Sequence, residues 1–192
     1  MLILICTFAK NLFMKRFLFF LGFAVLISGF YTSCKENTLD QLRDEEIVAL
    51  DDYVKDNGLT EAKDSTGIYF KDIEVGTGDT ITSGYKVMMF FKITLINGTT
   101  VFTTEDSAGR NYEEYAFYVD VSNDLVNSSY VQQIAGLHHG LKKMRVGGKA
   151  FMVIPSELAF KALDNSSTLG IPRFSTLLAT VYAKKGYSPE DQ

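Results

Sequence analysis

Few side chains in this 192-residue chain could do covalent or metal chemistry. His138 and His139 are its only imidazoles, and Cys6 and Cys34 its only thiols. Neighbours on a helix point about 100° apart, so the His pair cannot close on one metal ion. Residues 35–192 contain no cysteine and no other histidine to complete a metal site or a disulfide. The two imidazoles read as surface histidines on the outer side of a helix. Ser33, Ser156 and Ser175 lack the G-x-S-x-G setting of an activated nucleophile. The turn Gly76-Thr77-Gly78 lacks the helix start that phosphate binding uses. Glu105-Asp106 and Glu113-Glu114 read as solvated turns, with calcium at the second the weaker reading, and no carboxylates pair for acid–base work. A net charge of −4 leaves no basic surface for a phosphate backbone, which sets nucleic acid aside. These residues imply neither a metal nor a cofactor.

The elements that would carry a site begin after an N-terminal export region. Met14-Lys15-Arg16 and the run FLFFLGFAVLISGF have the charged start and apolar middle of a secretory signal, with translation expected to begin at Met14. The run ends in YTSC and is similar to a lipoprotein signal, with residues 1–33 removed and Cys34 acylated. The other reading is an uncleaved anchor over residues 12–31, about the ~20 residues that span a bilayer. Both place the domain outside the cytoplasm. Residues 34–66 read as an acidic amphipathic helix and a polar linker, LTEAKDST. Leu39, Leu42, Ile47, Leu50 and Val54 form the stripe, Thr38 the N-cap and Gly58 the stop. The acidic side reads as solvated.

From residue 67 the period changes to that of strands. GIYFKDIEVG opens the domain, and KVMMFFKITL puts Val87, Met89, Phe91, Ile93 and Leu95 on one face. Asn97-Gly98 then turns the chain into TTVFTT. YAFYVDV is a further strand, KAFMVIP another, and STLLATVYAKKGY the last, with Leu177, Ala179 and Val181 on one side. VQQIAGLHHGLKKM is the only helix expected inside the domain. The sum is an α+β fold, an antiparallel sheet wrapped around one short helix, over residues 67–187, with 188–192 a tail.

GLKKMRVGGKAFMVIPSELAF, residues 140–160, is the most specific stretch. Together with the Gly-Thr-Gly opening, the NG hairpin and IPRFSTLLATVYA, it resembles the FKBP family of peptidyl-prolyl cis-trans isomerases. That resemblance implies an apolar pocket for a prolyl side chain between the helix, the loop after the proline and the concave sheet face. Rotation about an X-Pro bond meets a barrier of ~18–20 kcal/mol, yet the end states differ by only ~0.5–1 kcal/mol. Catalysis therefore needs only tighter binding of the twisted amide than of the planar one.

The resemblance implies catalytic roles for Ile134, whose backbone N–H would hold the substrate carbonyl, and for Phe91 and Phe160, which stand where the family usually has tyrosines. It implies substrate contacts for Phe102, Tyr115, Leu137 (where an aromatic often stands), Ile171 and Ala179 (in place of a wall aromatic). The family's Phe-Asp pair falls on Val101-Phe102 or on Phe102-Thr103, so its aspartate is missing either way. Two hydroxyls and a carboxylate are thus lost while the apolar lining is partly kept. Weak isomerisation of proline-containing segments, or peptide holding without turnover, is the expected function, by a tethered protein of the cell envelope.

Overall fold

In a computed structural model that describes residues 38–121 and 129–191, the alternating run at 86–95 becomes the central strand, β2 (Lys86–Leu95). Val87, Met89, Phe91, Ile93 and Leu95 are buried on one face, as the period-two pattern requires. Around β2 stand β1 (Tyr69–Glu74), β3 (Thr100–Thr103), β4 (Tyr115–Tyr118), β5 (Lys149–Ile154) and β6 (Leu177–Tyr187). The sheet order is β1-β5-β6-β2-β3, and β4 also pairs with β2, all antiparallel. β3 takes the far end of the β2 edge, with Ile93 opposite Phe102, and β4 takes the near end, with Val87 opposite Phe117. One edge is therefore shared by two short strands. The opposite edge, β1, carries Lys71, Asp72 and Glu74 outward, with a register break between Asp72 and Glu74.

The hairpin after β2 closes as its sequence implies. Gly98 sits at φ +86° and its N–H donates to the Leu95 carbonyl at 2.9 Å, while the Asn97 side chain accepts from Thr99 N–H at 2.9 Å. β4 is shorter than the expected 115–121 strand. It ends at Tyr118, and Asp120 takes a left-handed φ of +54° that no strand can continue.

The helix α2 (Ala135–Leu141) lies in the concave face, with Leu137 and Leu141 fully buried. Its closeness to the sheet depends on two glycines. A Cβ on Gly136 would overlap the branched side chain of Ile154, and one on Gly140 would overlap the Met152 thioether. Bare helix backbone thus rests directly on β5. The domain holds a second short helix, α3 (Ser166–Leu169), and single 3₁₀ turns at Val131–Gln133 and Ser156–Leu158, so α2 is not its only helix.

On the other face of the sheet, the acidic segment forms α1 (Leu39–Asp56), opened by a Thr38/Gln41 capping box. Its register differs from the expected stripe. Leu50 and Val54 are buried against Val153, Leu178 and Tyr69, and Leu42 is half-buried, but Leu39 and Ile47 remain 47% and 45% exposed. The inward row runs through 42, 46, 50 and 54, a strict i+4 ladder, so Glu46 rather than Ile47 meets the domain. Nor is the segment after α1 a free linker. Leu59 is buried, and the Asp64 carboxylate accepts from Thr66 N–H at 2.8 Å and Gly67 N–H at 3.1 Å and pairs with Lys143 at 2.8 Å.

Residues 1–33, Cys34 and the 122–128 segment lie outside the described residues. Among the described residues no helix is long and apolar enough to cross a membrane.

The two helix glycines differ in what they would strike. Ile154 is stiff and Met152 flexible, so Gly136→Ala is expected to lower stability by ~1–2 kcal/mol despite the ~1 kcal/mol helix gain from alanine. Gly140→Ala is expected to lie nearer neutral, and urea denaturation midpoints check both.

Candidate functional site

The chain enters α2 through a break. Val131–Gln133 is a 3₁₀ turn, Ile134 is extended at φ −77°, ψ 98°, and the α-helix begins only at Ala135, so the continuous helix expected over 131–144 is split. Ile134 is the N-cap and its carbonyl accepts the Leu137 N–H at 3.0 Å. Its own N–H donates to the Val131 carbonyl at 3.3 Å, at the long end for an amide. Lys142 and Lys143 stand past the helix end. They are engaged in ion pairs, Lys142 with Asp120 at 2.7 Å and Lys143 with Asp64 at 2.8 Å.

Around this break the residues singled out by their sequence positions come together. Phe91, Ile134, Leu137, Phe160, Ile171 and Ala179 belong to one buried cluster, and Phe102 and Tyr115 pack against it half-buried. Phe91 meets Tyr115 edge-on at 5.4 Å between ring centroids. Phe160 lies 6.3 Å from Phe102 and 6.4 Å from Tyr130, a ring that the sequence reading passed over. Tyr115 anchors its hydroxyl on Ser129 Oγ at 2.7 Å. Phe102 is thus one of two ring partners of Phe160, and the residue after it is Thr103.

The residue after that was also missed. Thr104 is buried, and its hydroxyl accepts the Phe91 N–H at 2.8 Å and donates to the Phe91 carbonyl at 3.2 Å. A neutral hydroxyl therefore fixes the Phe91 backbone at the end of β3. The only hint in the sequence was a polar residue following an alternating strand, which usually means a turn.

His138 is not a surface histidine. Its side chain is 14% exposed, its ring lies 4.6 Å from that of Phe117, and both nitrogens are engaged. Nδ1 accepts the Asp120 N–H at 2.9 Å, which leaves Nε2 to carry the proton and donate to the Gln132 carbonyl at 2.8 Å. Gln132, buried, accepts the Tyr118 N–H at 3.1 Å and donates to the Tyr118 carbonyl, as a strand neighbour would. The turn before Ile134 is thereby tied to the end of β4. Asp120 completes the tie, bonded by Ser83 Oγ at 2.6 Å and by Lys142. Desolvation pushes the Asp120 carboxyl up, but those two hydrogen bonds outweigh it and hold it below the ordinary carboxylate value.

The neutral tautomer has a pH consequence. Burial pushes the His138 pKa below the ordinary 6.5, against the opposite pull of the Gln132 carbonyl and Asp120. Near pH 6.5 the unfolded chain therefore binds more protons at this residue than the folded one, and stability rises with pH there. Unfolding free energy is expected to be steady above about pH 7 and to decline as pH falls below the ordinary histidine value of 6.5. Denaturant titrations across that window check it, and His138→Gln should flatten the profile.

An open cleft of about 240 Å³ lies across the other sheet face, between Phe90, Lys92, Thr180, Tyr182, Lys149 and Glu74. Its aromatic floor is the stacked pair Phe90 and Tyr182, and mixed charges surround it. It shares only Phe91 with the cluster described above.

Comparison with known proteins follows the same region. The family model described as FKBP-type peptidyl-prolyl cis-trans isomerase matches residues 78–182. The chain is 30% identical over 129 residues to the FKBP-type peptidyl-prolyl cis-trans isomerase FkpA of Escherichia coli strain K12, covering 67% of this chain and 40% of that protein. It is 31% identical over 114 residues to the chloroplastic peptidyl-prolyl cis-trans isomerase FKBP17-3 of Arabidopsis thaliana, covering 58% and 45%. The chain thus spans less than half the length of these curated relatives. Among solved structures, E. coli FkpA superposes with a TM-score of 0.61 at 25% identity, over 79% of this chain and 63% of that one. A peptidyl-prolyl cis-trans isomerase from Pseudomonas syringae pv. tomato DC3000 gives 0.61 at 19% identity, over 80% and 99%, a likeness of fold. With a family model matching more than half of its residues, centred on the sheet and on the helix that enters through Ile134, this chain belongs to the FKBP-type peptidyl-prolyl cis-trans isomerase family.

Proposed function

We propose that the chain is a peptidyl-prolyl isomerase that binds an X-Pro segment of an exported polypeptide against the α2 entrance. The reading rests on one observation: Ile134, whose backbone N–H makes a 3.3 Å bond to Val131, belongs to one apolar cluster with side chains from β2, α2, β6 and the loop after β5. In this scheme the prolyl ring packs on Phe91 and Phe160, each 5% exposed, with the fully buried Leu137, Ile171 and Ala179 behind them. Phe102 and Tyr115 flank it, and the Ile134 N–H, exchanging its long bond to Val131, holds the substrate carbonyl. Burying the amide among hydrocarbon removes the water that stabilises its planar, charge-separated form, so the twisted form gains relative to it.

Turnover in this scheme is weak. Each missing polar contact is worth ~0.5–1.5 kcal/mol, so losing two hydroxyls and a carboxylate lowers the rate by tens to thousands-fold without removing the apolar surface. The second reading, a peptide-holding module without turnover, draws on the same substitutions and on the ring contacts that Phe160 makes with Phe102 and Tyr130. The proposal further places the protein in the cell envelope, tethered by a lipid on Cys34. Processing tests that part directly, since blocking lipoprotein maturation should shift the mass of the product.

A protease-coupled assay on proline tetrapeptides, using the unit Thr38–Gln192, separates the two readings. The expected result is a rate above the uncatalysed one that rises with enzyme, falls at least tenfold in Phe160→Ala and is lost in a folded Ile134→Pro variant. A rate fixed at the uncatalysed value, with peptide still bound, selects the holding module.

A further inference from the structure

The connection between β5 and β6 carries Phe160 and Ile171, and it holds its shape against local preference. Lys161 and Phe174 both sit at left-handed φ, +55° and +51°, in residues whose side chains disfavour it. Strain of this kind persists only where surrounding contacts over-determine the backbone. Inside the connection, Lys161 N–H donates to the Ser156 carbonyl at 2.9 Å and Phe174 N–H to the Lys161 carbonyl at 2.8 Å, so both strained residues hang on Ser156.

Ser156 is held from the other side of the sheet. A single carboxylate oxygen of Glu46, on α1, accepts the Ser156 N–H at 3.0 Å and the Thr176 hydroxyl at 2.5 Å. Ser156 follows β5 by two residues and Thr176 immediately precedes β6, and both are buried. One oxygen therefore pins both feet of the connection. Arg43 adds an exposed pair with Glu157 at 2.9 Å in the same turn, a contact of little strength by itself. A glutamate on the inward row of an apolar helix seam is poor packing chemistry, and its placement makes sense only through the two donors it satisfies.

We infer that Glu46 is a positioning residue. From the face of the sheet opposite α2 it sets the geometry of the loop that presents Phe160 and Ile171, so α1 is part of the peptide site without touching peptide. This inference rests on the functional reading above for its consequence, but its structural core can be tested apart from activity.

The experiment compares full-length wild type with Glu46→Ala and Glu46→Gln by amide hydrogen exchange and by steady-state kinetics on proline tetrapeptides. In Glu46→Ala, the Lys161 and Phe174 amides are expected to exchange at least tenfold faster while the β2 and β6 ladder amides keep their rates. KM rises several-fold and kcat changes less. Glu46→Gln retains an acceptor oxygen and should recover most of both effects. Unchanged exchange at Lys161 and Phe174, or an equal increase throughout the sheet, overturns the inference. If wild type shows no turnover on any peptide, the isomerase reading falls, and the exchange pattern together with peptide affinity still decides the role of Glu46.

Discussion

The near contact of helix backbone with β5 is the constraint on which the molecule depends. Without side chains at Gly136 and Gly140, α2 sinks until Ile154 and Met152 touch its main chain, and Leu137 and Leu141 then fill the concave face. That depth places Ile134, the residue where the helix starts, at the floor of the sheet rather than at its rim. The helix begins there because the backbone is extended at Ile134, and the turn before it is held by Gln132 on Tyr118 of β4 and by the His138 bond to the Gln132 carbonyl. The same few contacts fix helix depth, helix start and the direction of one N–H.

Much of this was legible in the sequence because it follows from short-range rules. Alternation in KVMMFFKITL announces a strand buried on one side, Asn97-Gly98 a hairpin and Thr38 an N-cap, and each follows from the local chain alone. The stretch from Gly140 to Phe160, with the Gly-Thr-Gly turn, the Asn97-Gly98 hairpin and IPRFSTLLATVYA, was enough to suggest the family.

What escaped the reading depends on partners distant in sequence. Ile47 looks as apolar as Leu50, and only the docking of α1 on Val153 and Leu178 decides that Glu46 points inward. His138 looks like one of an exposed pair until the turn after β4 supplies the Asp120 N–H and the turn before α2 supplies the Gln132 carbonyl. Thr104 resembles an ordinary turn residue, and its partner is the Phe91 backbone thirteen positions earlier. Polar side chains with non-local partners leave no periodic trace, and these are the groups that set the fine geometry around the apolar cluster.

The outward charges and register break on β1 carry a consequence for self-association. A flat, apolar border strand invites other extended chains to add to the sheet through main-chain hydrogen bonds, whereas here the break at Asp72/Glu74 twists the border, and Lys71, Asp72 and Glu74 place charge beside the exposed Ile73. The opposite border is divided between β3 and β4, each only four residues long. An extended polypeptide meeting this protein thus finds only a short, broken and charge-flanked lane along β1, which disfavours its being zipped into a growing aggregate.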